Sequence, residues 1–184
     1  MSDIDKNAAT TKLLWVDLEM TGLDPENDVI LEIAAIVTDW TFQTQSTYEA
    51  IIWQPEARLE NMNEWAKNQH AVSGLTERVR SEGKAEKDVI REFSEFIRTN
   101  FADEPAVLAG NSIHNDRIFI KKWWPEVDGL LHYRMLDVSS WKLVMQGKYK
   151  LGFEKSDAHR AYDDIQASIA ELQYYIQQFP QKSA

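Results

Sequence analysis

The chain has no cysteine, which excludes a disulfide framework and any thiolate metal site. It has no apolar run long enough to span a membrane. Its first residues, MSDIDKNAATTK, are polar and do not form a secretory leader, so a cytoplasmic protein is expected. No glycine-rich phosphate loop occurs, which argues against nucleotide binding of the Rossmann or P-loop kind. Internal repeats, low-complexity runs and linkers are missing too. Positive charge is scarce: 20 Lys and Arg stand against 30 Asp and Glu, a net charge of −10. Proteins that grip long nucleic acid nonspecifically do so through a broad basic surface, because counterion release from phosphates drives that binding. Such a surface is not expected here. The deficit is uneven, however. Residues 111–160 hold nine Lys/Arg and six Asp/Glu, a local balance of +3 that leaves −13 for the rest. A local excess of this kind permits a phosphate-bearing ligand in a confined site, and ordinary surface variation would give the same count.

What is present suits one compact domain with a real core: 184 residues, 43% hydrophobic and 11% aromatic. A polar, poorly ordered tail is expected over 1–12 and the folded domain over 13–180. Leu13–Met20 reads as a buried strand, Asp28–Trp40 as a second after a turn at Pro25 and Asn27, and Thr47–Gln54 as a third. Glu60–His70 suits a short helix. Val89, Ile90, Phe93, Phe96 and Ile97 keep helical spacing over 85–101. Ala106–Asn111 is a short apolar strand, and helices follow around Arg117–Trp123 and Val138–Gln146. The clearest helix is Ala161–Phe179, with Ala161, Ile165, Ser168, Leu172, Ile176 and Phe179 along one face. Three antiparallel strands followed by alternating helices and strands predict a mixed α/β sheet with helices on its faces.

The stretch LLWVDLEMTGLDP puts Asp17 and Glu19 one residue apart in an otherwise apolar strand. Alternate strand side chains share a face, so the two carboxylates project together. In a half-buried site they repel and lose hydration, and one takes up a proton unless a cation lies between them. A divalent metal is one solution. In the other, one acid caps the turn and its neighbour faces water. Asp116, in GNSIHNDRIFI, follows a strand end and opens a helix. Open α/β folds place ligands there, and a helix-dipole acid also suits the position. In HRAYDDIQASIAEL, helical geometry of about 100° per residue sets Asp164 roughly 85° from the centre of the apolar stripe and Asp163 almost opposite it. Asp164 is therefore expected to reach the sheet edge and Asp163 to face water. His159 lies five residues earlier and must sit at or before the helix start if both address one site.

Together, the Asp-x-Glu strand, the middle Asp and the C-terminal His-x4-Asp resemble the DEDD exonuclease superfamily of ribonuclease H-like fold, in its histidine branch. WVDLEMTGLDP, ILEIA, MNEWAKNQHAVSGL, GNSI followed by DR, HYRMLDVSS and HRAYDDI fall in order between residues 15 and 165. They are similar to the oligoribonuclease family within that branch. The resemblance implies that Asp17, Glu19, Asp116 and Asp164 bind metal and that His159 is the general base. Hard oxygen ligands suit Mg²⁺ or Mn²⁺, and two such ions about 4 Å apart can hold the attacking water and the leaving 3′ oxygen around one phosphorus. It further implies that Leu18 and Trp65 contact bases, with sequence-tolerant stacking on Trp65, and that Ser112, Arg134 and Ser139 enclose a 5′ phosphate. His70 and Tyr133 resemble further binding residues, with Tyr133 reaching the partner's site in a homodimer. On the residues alone, Trp65 suits a core position equally well, and Arg134 could pair with Asp137. The segment 147–159 follows no fixed family pattern and is expected to be the flexible approach to His159.

The function implied is 3′-to-5′ removal of mononucleotides from very short RNA, of about two to five nucleotides with dinucleotides favoured, since the acidic chain lacks a long electrostatic track. The rivals are a proofreading or tRNA-trimming exonuclease of the same superfamily, acting on longer chains, and a noncatalytic binding module. The module would lack one of the five catalytic residues; all five are present.

Overall fold

The computed structural model of the chain describes residues 10–154 and 161–179. His159, most of the tail expected over 1–12, and the last part of the approach to His159 lie outside the described residues. Five strands, β1 (Lys12–Met20), β2 (Ile30–Asp39), β3 (Thr44–Ile51), β4 (Ala106–Gly110) and β5 (Leu131–Asp137), form one sheet in the order β3-β2-β1-β4-β5. β1 is antiparallel to β2 and β2 to β3, while β1, β4 and β5 run parallel. β1 and β2 read as near-continuous apolar runs because they are central and covered on both faces. β3 is an edge strand with half of its side chains exposed.

Even-numbered residues of β1, namely Leu14, Val16 and Leu18, join the core under helices α4 (Glu86–Phe101) and α5 (His114–Trp123). Odd-numbered Leu13 and Trp15 pack with Ala34 and Ile36 against Ala161, Ile165, Ile169 and Leu172 of the last helix, α8 (Ala161–Gln177). The strand period of two then puts Asp17 and Glu19 on the α8 side, just past the apolar contact. In α4, Val89, Phe93 and Ile97 are fully buried at i, i+4 spacing, while Ile90 and Phe96 are partly buried against the same core. The remaining helices are short: α1 (Glu56–Glu60), α2 (Glu64–Val72), α3 (Leu75–Glu82), α6 (Pro125–Asp128) and α7 (Val138–Val144), the last continued by a π-helical turn at Met145–Tyr149. Among the described residues no helix is long and apolar enough to cross a membrane.

Several boundaries differ from expectation. The helix foreseen over Glu60–His70 begins at Glu64, because the Asn63 side chain accepts the Ala66 N–H and caps it. The third strand lies earlier, at Thr44–Ile51, with Ile52 only bridged to Lys84. β5, α1, α3 and α6 were not foreseen. β5 is held by backbone pairing with β4, and most of its side chains are half-buried or exposed.

Candidate active site

The C-terminal end of the central strand β1 meets the first turns of α5 and α8. One carboxylate oxygen each from Asp17, Glu19 and Asp164 lies within 4.8 Å of the others. As the helical angles predict, Asp164 faces this cluster, half-buried, while Asp163 is exposed. Asp116 is in the first turn of α5 and buried; its Oδ1 accepts the N–H of Leu18, the residue between Asp17 and Glu19. The two readings of Asp116 therefore converge: it occupies a helix N-terminal turn and is also tied to the Asp-x-Glu strand.

The electrostatics follow from this crowding. Glu19 is pushed up to about 7, first by burial and then by the charges of Glu32, Asp164 and Asp116. Glu32 stands directly opposite Glu19 across the β1–β2 pair. Burial also pushes Asp116 up to about 7, opposed by the N–H groups of Leu18 and of Asp116 itself. The close group of Asp17, Glu19 and Asp164, with Asp116 held behind Leu18, concentrates negative charge that a divalent cation would offset. The donor set is all oxygen, and it suits a hard divalent ion.

Across the cleft, α2 and its C-cap residue present Trp65, Gln69 and Ser73 at i, i+4, i+8 spacing, with His70 beside them. These four and Asp17, Leu18, Glu19 and Asp164 line a cleft of about 220 Å³. Trp65 is 71% exposed, which removes the core alternative for it. His70 is only 3% exposed. Its Nε2 lies 2.9 Å from the Met20 carbonyl oxygen and so carries the proton, which leaves Nδ1 to face Glu19 Oε2 at 4.0 Å. Burial lowers its pKa, so the ring stays neutral near neutrality. Gln69 and Ser73 were missed from sequence; their helical spacing from Trp65 is the signal that could have found them. A larger cavity of about 530 Å³ lies behind α2 and shares only His70 with the cleft.

A second group forms where β4 and β5 end. Gly110 pairs with Asp137, and a Cβ on Gly110 would stand 2.9 Å from the Val16 carbonyl oxygen, so only glycine fits this approach to β1. Ser112 follows with φ 51°. Its N–H donates to Asp137 Oδ1 at 3.0 Å and Ser139 Oγ at 2.9 Å, and the two serine hydroxyls are 3.1 Å apart. Ser139 Oγ donates to Asn111 Oδ1, and Asn111 in turn donates to Ser168 and to Glu171, a fully buried acid of α8 that sequence reasoning missed. Arg134 does not form an ion pair with Asp137; its guanidinium rests 5.1 Å from the centre of the Tyr133 ring. Tyr133 is 74% exposed on edge strand β5 and stacks on His132. Thus Ser112 and Ser139 are brought together, while no hydrogen bond among the described residues ties the Arg134 side chain to them.

The fold is that of the exonucleases: a family model described as exonuclease matches residues 14–172. Exonuclease I from Methylocaldum szegediense superposes with a TM-score of 0.68 at 18% identity, over 94% of this chain and 42% of that one. E. coli exonuclease I in complex with a dT13 oligonucleotide gives 0.66 at 16% identity, over 90% and 41%. This chain thus spans about two fifths of those structures, which share its fold alone. The sequence relatives are closer. Oligoribonuclease of Francisella tularensis subsp. holarctica (strain OSU18) is 46% identical over 169 residues, 90% of this chain and 94% of that protein. Oligoribonuclease of Vibrio parahaemolyticus serotype O3:K6 is 44% identical over 179 residues, 95% and 96%. The chain belongs to the oligoribonuclease family of exonucleases.

Proposed function

We propose that this 3′-to-5′ exoribonuclease, with its exonuclease domain over residues 13–180, acts as a cytoplasmic homodimer on RNAs of about two to five nucleotides, dinucleotides above all. It releases 5′ mononucleotides by hydrolysis supported by two divalent ions, Mg²⁺ or Mn²⁺. The observation that carries this reading is the convergence of Asp17, Glu19 and Asp164 within 4.8 Å, with Asp116 bonded to the strand between the first two.

Asp17, Glu19, Asp116 and Asp164 would hold the ions. Bound there, the ions supply charge neutralisation at the scissile phosphate and polarise the attacking water and the leaving 3′ oxygen. The protein's own groups do the rest. His159 takes the proton of the attacking water. Leu18 and the exposed Trp65 bear on the bases, and stacking on an indole face is indifferent to base identity. His70, locked by the Met20 carbonyl, walls the cleft beside Glu19. Ser112, Ser139 and Arg134 close on the 5′ phosphate. The preference for short chains is supported by the acidic character of the cleft: among the described residues, the eight that line it include Asp17, Glu19 and Asp164 and neither Lys nor Arg, whereas an extended strand is held by a row of cations. The homodimer is supported by apolar side chains exposed on β5 and α7, Tyr133, Met135, Leu143 and Val144.

The test is incubation of the pure protein with 5′-labelled RNAs of about two to twenty nucleotides, with Mg²⁺, Mn²⁺ or EDTA. Stepwise shortening from the 3′ end, fastest for the dinucleotide and absent in EDTA, is expected. Internal cuts, or equal rates at every length, contradict the reading.

A further inference from the structure

We propose that Asp137 is the positioning residue of the 5′-phosphate pocket: its carboxylate holds Ser112 in a left-handed backbone conformation and so sets the Ser112 and Ser139 hydroxyls side by side. The proposal rests on the assignment of Ser112, Ser139 and Arg134 to the 5′ phosphate. Ser112 has φ 51°, a region that residues with a Cβ rarely occupy and hold only when the surroundings compensate. The compensation is visible. The Ser112 N–H donates to Asp137 Oδ1 at 3.0 Å as well as to Ser139 Oγ at 2.9 Å. The same Oδ1 accepts the Ser139 N–H at 2.9 Å. One carboxylate oxygen therefore ties the backbone of both serines, and their hydroxyls stand 3.1 Å apart as a result. The other oxygen, Oδ2, faces His114 Nδ1 at 3.8 Å. The geometry is set upstream by the pairing of Asp137 with Gly110, which delivers the ends of β4 and β5 together.

Asp137 is also the N-cap of α7, and a cap alone would explain a polar residue here. The two roles separate chemically. Serine and asparagine both cap helices well. Asparagine keeps a carbonyl oxygen where Oδ1 stands. The serine hydroxyl sits one bond closer to the backbone and cannot serve both N–H groups. The experiment is kcat/KM for a dinucleotide with and without its 5′ phosphate, in wild type, Asp137→Asn, Asp137→Ser and Arg134→Ala, with Tm measured for each.

Wild type should prefer the phosphorylated substrate roughly ten- to hundredfold, the worth of a charge-assisted contact. Asp137→Asn should keep most of that preference and Asp137→Ser should lose most of it. If both Asp137 variants keep the preference, or both lose it equally, the positioning role is overturned. If they keep it while Arg134→Ala loses it, the pocket assignment survives and only the role of Asp137 falls. A wild type without preference overturns the pocket assignment and this proposal with it. Should Asp137→Ser not fold, Asp137→Thr, also a cap, carries the same comparison.

Discussion

Glu19 and Asp116 are both pushed up to about 7, in each case first by burial, so a divalent ion that uses them must displace their protons. A carboxyl of this pKa is about 90% ionised at pH 8 and about 10% at pH 6. Two such ligands therefore weaken the apparent metal affinity by up to roughly 100-fold between pH 8 and pH 6. An ordinary pair of carboxylates would change it hardly at all over that range. Titration calorimetry with Mn²⁺ in buffers of different ionisation heat reads both the affinity and the protons released. About two protons should leave per protein at pH 6, about one at pH 7 and almost none at pH 8. The same shift has a stability consequence. Both folded pKa values lie above the unfolded ones, so the metal-free native state binds the extra protons and loses stability as pH rises through about 7. The loss from about pH 6.5 to 8 is on the order of 1 kcal/mol. His70, lowered by burial, acts in the opposite sense, but only below its unfolded value of 6.5. Asp24, Asp39 and Glu56, lowered mainly by hydrogen bonds, act at still lower pH. A metal affinity that is flat from pH 6 to 8, with no proton release, would refute the claim that these acids are crowded and half-desolvated.

Further outcomes follow from the same geometry. Asp17→Ala should abolish cleavage while the far-UV spectrum and Tm show a folded protein, and Asp163→Ala, on the exposed side of α8, should do little; equal losses at Asp163 and Asp164 contradict the assignment. His159→Ala should slow single-turnover cleavage roughly 10²–10⁴-fold with little change in RNA affinity; an unchanged rate gives His159 another task. Trp65→Ala should cost about 1–3 kcal/mol of dinucleotide binding by loss of stacking and leave Tm nearly unchanged, because the indole is 71% exposed.

The parts of this molecule that sequence exposes are those where side-chain burial and backbone period coincide. β1 and β2 are apolar over most of their length because both faces are covered, and the α8 stripe from Ala161 to Leu172 is buried as its spacing predicts. The same periodicities sorted Asp164 from Asp163 and put Asp17 beside Glu19. β5 escaped because an edge strand is held by backbone pairing, and its exposed Tyr133 and Met135 make no apolar signature. Glu171 escaped because it flanks the apolar stripe, on nearly the same side of the helix as Asp164, and a charged residue there is ordinarily solvated; here Tyr175 O–H and Asn111 satisfy the buried carboxylate. On sequence alone Asp137 stands only as a partner for Arg134. Its backbone contacts depend on the joint arrival of two strand ends distant in sequence, which no local pattern encodes.

The most direct test of the central claim is an anomalous difference map, at the manganese edge, from a crystal of the protein soaked in Mn²⁺. Peaks are expected among the carboxylates of Asp17, Glu19, Asp116 and Asp164, at oxygen distances of roughly 2.0–2.3 Å. A saturated crystal with no peak at these four residues, or with manganese bound elsewhere while the protein still cuts RNA, would contradict that claim.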